Sequence, residues 1–438
     1  MNVAIRGLAY FIAYMAAILL PLIVAAALDP LPNPRPFGVE LGVGFGFIAF
    51  SLVVTQFALV GRLRGISSIF GNDALMYFHK YMGLLALGLL IAHALMLAPG
   101  GFQGFNPFSG NAAVRTGALA LWLMLALTLT TLFRRFWRIH YGTWLLGHLF
   151  AALAIGAAAV THVLASRGYV THPVMKGLIL AYFAAFLLPV FRYRVWARWR
   201  MLRRPWTLIE NRDDGADVRT LVLKPMNDER FAFEPGQFAW LATGHPALNE
   251  QHPISISSSA EQRPGNTVEF SIKNLGDWSG TVVPALQPGH TVFVDGPFGV
   301  FSLDRHPAMG FGLIAGGIGI TPLLSMLLTM RDRDDRRPVV LFYAAHDWTR
   351  VVFRKELESL SRTMSLSLVW VFEQPDADWA GERGFMTTQI LQRHLPAQYR
   401  RFRYFMCGPT PMLDAVESQL HELGVEPSRL QSERFDIV

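Results

Sequence analysis

Four histidines lie inside long apolar stretches: His79, His93, His148 and His162. Within each pair, 79/93 and 148/162, the spacing is 14 residues. On an α-helix, 14 steps of ~100° return to within ~40° of the starting face and climb ~21 Å. Two such helices running in the same direction place His79 level with His148, and His93 level with His162. Ionisable side chains within apolar spans are rare and mark function. Imidazole is an axial ligand of haem iron, so the pattern reads as two bis-histidine haem sites stacked across an apolar layer. A lone histidine in such a place reads as an interhelical hydrogen bond; the same spacing on two helices favours the metal. Zinc is disfavoured, because ~21 Å separates the two levels. His140 and His172 have no equivalent partner and read as surface residues.

A second set of chemical residues lies later in the chain. The apolar run 311–315 leads into Gly316-Gly317-Ile318-Gly319-Ile320-Thr321-Pro322. This reads as a strand, a glycine turn and a helix capped near Thr321, an arrangement that lets backbone approach a pyrophosphate at a helix N-terminus. Another strand, 404–407, runs into Gly408-Pro409-Thr410-Pro411. Two such turns in one parallel sheet make a dinucleotide crevice. Cys407, the sole cysteine, stands at that strand end and reads as a neighbour of the nicotinamide, with a buried structural thiol as the alternative.

The elements that must position these residues divide the chain in two. Apolar stretches at 8–28, 41–60, 79–98, 116–133, 143–164 and 174–191 are each long enough to cross a bilayer, and the first reads as a span rather than a cleaved leader. Hydrophobic residues make up 52% of the chain and charged residues 16%, a charge deficit that belongs to the first half. The net charge of +7 comes from basic residues beside the spans, among them Arg134, Arg135, Arg138 and the series Arg192 to Arg204, so lipid explains it and nucleic acid does not. The same bias puts both termini and the later half in the cytoplasm, in a multi-pass protein of the inner (cytoplasmic) membrane. One cysteine excludes disulfides within the chain and four-cysteine clusters. The expected order is a six-helix transmembrane domain over 1–200, a small antiparallel β-barrel over 203–305 and an α/β domain over 306–438.

With these motifs in place, the chain resembles the NADPH oxidase and ferric reductase superfamily in a compact bacterial form, its later half similar to ferredoxin–NADP reductases. The resemblance implies FAD, two b-type haems and NADPH or NADH as substrate. It places His252-Pro253-Ile254-Ser255 at the flavin, with Ser255 near the ring, His252 near the phosphates and Ile254 where the family has an aromatic residue. It places Lys273, Gly276, Trp278 and Ser279 around the flavin pyrophosphate. Gly316, Gly317, Gly319, Thr321, Cys407, Gly408 and Pro409 then serve the nicotinamide nucleotide, and Phe435 covers the flavin as the family's C-terminal aromatic does. Regulation of the calcium-dependent oxidase kind is not expected.

The implied activity carries electrons from NAD(P)H through flavin and two haems to an acceptor on the outer side. Oxygen, giving superoxide, is slightly preferred, because loop 99–115 holds Gln103, Asn106, Ser109, Asn111 and Arg115 without an acidic or His/Met cluster for iron. A ferric-chelate reductase and an electron-delivery subunit for a periplasmic partner or quinone are the rivals. Phe102, Phe105 and Phe108 are the docking candidates for such a partner, or simply interface anchors. Arg350, just past the second strand of the α/β sheet, inclines the coenzyme toward NADPH by offering a cation to the 2′-phosphate; Asp347 is the acid that would mark NADH.

Overall fold

The computed structural model describes residues 3–28, 35–60, 66, 69–70, 72–97, 105–166, 168–227, 229–246, 249–261 and 265–434. The chain forms two units, Met1–Trp196 and Ala197–Val438.

The first unit holds helices α1 (Val3–Leu28), α2 (Phe37–Val60), α3 (Asn72–Leu97), α4 (Ala112–Leu132), α5 (Tyr141–Ala165) and α6 (Pro173–Phe191). All six are long and apolar enough to cross a membrane. Their starts precede the apolar runs, because polar residues close the ends. Asn111 caps α4 by accepting from the Val114 amide at 3.0 Å, and His172 caps α6 by accepting from the Val174 amide at 3.2 Å. Such caps satisfy amide groups that a helix start leaves unpaired. The helices pack chiefly as two neighbouring pairs, α2 with α3 and α4 with α5. Phe47, Phe50, Met175, Ile179 and Phe186 form one buried cluster, and Ile18, Leu52, Ala86, Met124 and Ile155 another. Large apolar side chains such as Leu8, Phe150 and Leu188 face outward, as lipid contact requires.

The second unit opens with a short helix, α7 (Ala197–Arg203), and contains two six-stranded sheets. The first is antiparallel: β1 (Pro205–Gly215), β2 (Val218–Pro225), β3 (Phe238–Ala242), β4 (His252–Ser255), β5 (Val268–Lys273) and β6 (Thr291–Phe298), in the order β4-β3-β6-β1-β2-β5. Alternate residues such as Leu221, Leu223, Phe270 and Val292 turn inward to its core. Its two edges meet at a single bridge, Ile256 to Phe270. The expected barrel is therefore seen as a sheet with touching edges; a continuous closing ladder does not occur among the described residues.

The second sheet is parallel: β7 (Phe311–Gly316), β8 (Val339–Ala345), β9 (Leu366–Phe372), β10 (Glu382–Arg383), β11 (Arg403–Gly408) and β12 (Leu430–Arg434), in the order β10-β9-β8-β7-β11-β12. Helices α8 (Ile320–Asp332), α9 (Arg354–Thr363), α10 (Thr388–His394) and α11 (Thr410–Glu422) alternate with these strands. Every residue of β7 is buried, as in sheets covered on both faces. The chain leaves β7 toward β8 and returns on the other side as β11, so the strand order reverses beside β7. In such sheets, ligands bind outside the strand ends at that reversal.

Candidate functional site

Helix α3 carries His79 and His93, and α5 carries His148 and His162. His79 faces His148 with ring centres 6.2 Å apart and planes at 53°. His93 faces His162 at 5.9 Å and 87°. Metal–imidazole bonds run to ~2.0–2.1 Å, and a five-membered ring with ~1.33 Å sides has its centre ~1.1 Å from each nitrogen. Two imidazoles flanking one metal ion therefore stand with centres ~6.2 Å apart. Both pairs have that separation. Among the described residues no cluster of three or more His, Cys, Asp or Glu side chains is poised around a metal; the imidazoles stand in facing pairs.

The second nitrogens differ between the levels. His93 Nδ1 lies 2.8 Å from the Gly42 carbonyl, and His162 Nδ1 lies 2.7 Å from the Ala113 carbonyl. A carbonyl only accepts, so each Nδ1 carries the proton and leaves Nε2 free for a metal. His148 Nδ1 has only the Thr131 hydroxyl at 3.5 Å. The buried Nδ1 of His79 lies toward the Gln56 backbone but makes no hydrogen bond of ordinary geometry. Trp144 packs on His148 with ring centres 5.1 Å apart, and Arg134 lies 5.3 Å above the Trp144 ring.

In the second unit, the two expected flavin segments meet. His252, on β4, stacks on Trp278, beyond β5, with ring centres 3.9 Å apart and planes at 14°. The Trp278 indole donates to the Thr243 hydroxyl at 3.0 Å. Burial holds the His252 pKa down at about 4, so near neutral pH the imidazole is uncharged. Ser255 is buried and pairs with Phe238, and Lys273 ends β5 opposite Val218. The Ser279 hydroxyl accepts from the amides of Leu275 and Gly276 at 2.9 and 3.0 Å. It shapes the turn around Gly276, whose own face is open. Two buried bonds tie this region to α8: Ser325 donates to the Ser258 carbonyl at 2.7 Å, and the Ala260 amide donates to Thr329 at 2.9 Å.

The two glycine turns touch. A methyl group on Gly319 would lie 2.1 Å from the Cys407 carbonyl oxygen, and one on Gly408 would lie 3.0 Å from Gly316. Gly317 has a φ of +53°. Helix α8 starts at Ile320 with Gly319 at its cap, two residues before the expected start. Thr321 therefore sits inside the first turn, where its hydroxyl donates to the Ile318 carbonyl at 3.1 Å. Pro409 caps α11. Cys407 is fully buried, its side chain in the apolar core beside β7. Arg350 pairs with Asp217, in the turn between β1 and β2, at 2.7 Å. Asp347 accepts from the amide and hydroxyl of Thr349 at 2.7 and 2.5 Å. Phe435, Phe102 and Gln103 lie outside the described residues. In the loop before α4, Asn106 accepts from the Phe108 amide at 2.9 Å, and Phe108 is 91% exposed.

Sequence reasoning passed over Gly42, Gly46, Ala113 and Gly117, which hold the histidines at one level. It also passed over the aromatic cluster in which Trp348, beyond β8, and Trp379, beyond β9, pack on Trp370 and Phe372 at the end of β9. Glycine on an apolar helix carries no signal until its neighbour is known.

Residues 45–159 match the family described as ferric reductase like transmembrane component, and residues 313–418 match the oxidoreductase NAD-binding domain. The chain is 29% identical over 234 residues to the stachydrine N-demethylase reductase subunit Stc4 of Rhizobium meliloti, a match covering 53% of this chain and 66% of that protein. It is 32% identical over 260 residues to a glycine betaine monooxygenase reductase subunit of Pseudomonas aeruginosa (57% and 68%). It is 30% identical over 215 residues to NADH-cytochrome b5 reductase 2 of Scheffersomyces stipitis (48% and 72%). The matches thus span about two thirds of these relatives' length and about half of this chain. In fold, the chain is similar to the flavohaemoglobin of Malassezia yamatoensis, with a TM-score of 0.51, 15% identity, and coverage of 90% of this chain and 96% of that one. By its apolar helices, its two sheets and these matches, the chain is a ferric-reductase- and NADPH-oxidase-like transmembrane protein whose later half belongs with reductases of the ferredoxin–NADP reductase kind.

Proposed function

We propose that the protein carries electrons from cytoplasmic NAD(P)H through FAD and two bis-histidine haems to an acceptor on the outer side of the cytoplasmic membrane. The observation that carries this reading is the two pairs of facing imidazoles, with ring centres 6.2 and 5.9 Å apart, each near the spacing that one metal ion would set. When bound, flavin divides a two-electron hydride into single electrons, and haem iron relays them. The chain's residues supply position and exclusion of water. Gly317 faces open space before α8, where the coenzyme pyrophosphate would lie, while Gly316 and Gly319 let the two glycine turns close on each other. The antiparallel sheet, read as the family's flavin barrel, offers Ser255 to the flavin ring. It offers the open face of the Gly276 turn and a neutral His252 to the phosphates. The backbone around Cys407 and Gly408 borders the nicotinamide. Arg350 turns from Asp217 to a 2′-phosphate. His79 with His148, and His93 with His162, hold the inner and outer haems.

Oxygen is the preferred acceptor. In loop 99–115, Asn106 and Asn111 bond to the loop's own backbone, which leaves fewer polar groups for a chelate. The test is NADPH oxidation by the FAD- and haem-loaded protein in air, read with a superoxide reporter. A signal near stoichiometry with NADPH and abolished by superoxide dismutase supports the oxidase. Oxidation that accelerates only with ferric chelate, and ignores the dismutase, replaces it with a metal reductase.

A further inference from the structure

We infer that Gly46 and Gly117 are positioning residues for the outer haem. Each opens a notch in a helix where one axial imidazole lies with its Nδ1 proton on a backbone carbonyl and its plane nearly perpendicular to its partner's. The inference rests on the two-haem reading above.

In an α-helix, the side chain at position i+4 leans back over the carbonyl of residue i. Glycine at i+4 uncovers that carbonyl, which can then accept a second bond besides the helical one. His93 bonds to the carbonyl of Gly42, and a methyl group on Gly46 would lie 2.7 Å from His93 Nδ1 and Cε1. His162 bonds to the carbonyl of Ala113, and a methyl group on Gly117 would lie 2.6 Å from His162 Nδ1 and 2.8 Å from its Cε1. Carbonyl, glycine and imidazole edge therefore recur with the same offset of four on two different helices. Helix α2 supports the histidine of α3, and α4 supports that of α5. Glycine weakens a helix interior relative to alanine, so two glycines at equivalent places call for a cause, and the imidazoles are that cause. The other level lacks the device: its Nδ1 atoms have a hydroxyl at 3.5 Å and no ordinary hydrogen bond.

Donation from Nδ1 makes an imidazole a more basic ligand, which favours the ferric state. Axial imidazoles crossed at 87° leave the two iron d orbitals that bond with the rings nearly degenerate. That condition gives a strongly anisotropic low-spin ferric signal in electron paramagnetic resonance. The notches thus set both the potential and the spectrum of the outer haem, through its ligands and without touching an acceptor.

The experiment uses full-length protein in lipid nanodiscs: wild type, Gly46→Ala, Gly117→Ala and Gly88→Ala. Gly88 is an exposed glycine where a methyl group meets nothing within 4 Å, about 180° around α3 from His79. Wild type should bind two low-spin haems; fewer would refute the two-haem reading and this inference with it. Gly46→Ala and Gly117→Ala should each lose the outer haem, or lower the anisotropy of its signal and raise its midpoint potential. The inner haem signal and NAD(P)H–ferricyanide activity should stay within about twofold of wild type, and Gly88→Ala should match wild type throughout. Two haems with unchanged spectra and potentials in both notch variants would overturn the inference and leave the two-haem reading intact. Should a variant fail to accumulate, wild type decides by near-infrared magnetic circular dichroism. The ligand-to-iron bands of the two haems should be separated by the bonded Nδ1 protons of one pair, and coincident bands would overturn the inference.

Discussion

His162 shows what a single side chain does here. One ring nitrogen is held at 2.7 Å from a carbonyl and the ring faces His93, which leaves the other nitrogen for the metal that the proposal assigns to it. His162→Ala should remove one haem, abolish reduction of an outer acceptor and leave NAD(P)H-to-ferricyanide activity within about twofold; haem stoichiometry and steady-state assays read both. His252 makes a different prediction. Its pKa is held at about 4 against an ordinary value of 6.5, and His306, half-buried beside Arg305 and Arg403, is also held at about 4. Between those values the unfolded chain binds the protons and the folded chain does not. Stability of the reductase half therefore falls as pH drops from 6.5 toward 4 and gains nothing from these groups above 6.5. Urea unfolding followed by flavin fluorescence should show that slope, flattened in part by His252→Asn and further by adding His306→Asn. The proposal gives Arg350 the 2′-phosphate: replacing it with Ala should lower the NADPH-to-NADH ratio of kcat/KM roughly tenfold or more. Its exposed pair with Asp217 is itself a weak contact. The Arg350 side chain was legible as a candidate cation, but its partner was not, because no local pattern brings the β1–β2 turn to β8.

At the scale of elements, the spans were readable because a bilayer demands ~20 consecutive apolar residues and tolerates few others. The helices nevertheless begin earlier than the apolar runs. Asn111 and His172 fix two of those starts, and caps follow polar residues rather than hydropathy. The glycine turn after β7 was readable as strand, turn and helix, but the helix is capped at Gly319 rather than at Thr321. Contact with the Cys407 carbonyl decides that start, and a one-dimensional pattern does not contain it. The two glycines should respond differently to alanine. Gly319→Ala pushes a methyl group into backbone and should cost ~1–3 kcal/mol or more. Gly317→Ala meets open space at a φ of +53° and should cost ~1–2 kcal/mol. Thermal unfolding with bound coenzyme separates the two. The closing of the antiparallel sheet was the least legible feature, since one bridge between Ile256 and Phe270 depends on how far each strand twists.

On the scale of the whole molecule, the division of labour follows from solvent. Water accommodates the charged sheets, and lipid disfavours ionisable side chains that have no partner. The positive bias around Arg134, Arg135, Arg138 and the series Arg192 to Arg204 is the ground on which the proposal assigns the reductase half to the cytoplasmic side. The central claim is vectorial: electrons enter at one face and leave at the other. It is tested by proteoliposomes with the reductase half outward, NADPH added outside and cytochrome c enclosed, in air. Enclosed cytochrome c should be reduced by superoxide released inside, in a manner lost with enclosed dismutase and in His162→Ala, while external ferricyanide is still reduced. NADPH-dependent reduction confined to external acceptors, with the enclosed cytochrome c and an enclosed ferric chelate both left oxidised, would contradict the account.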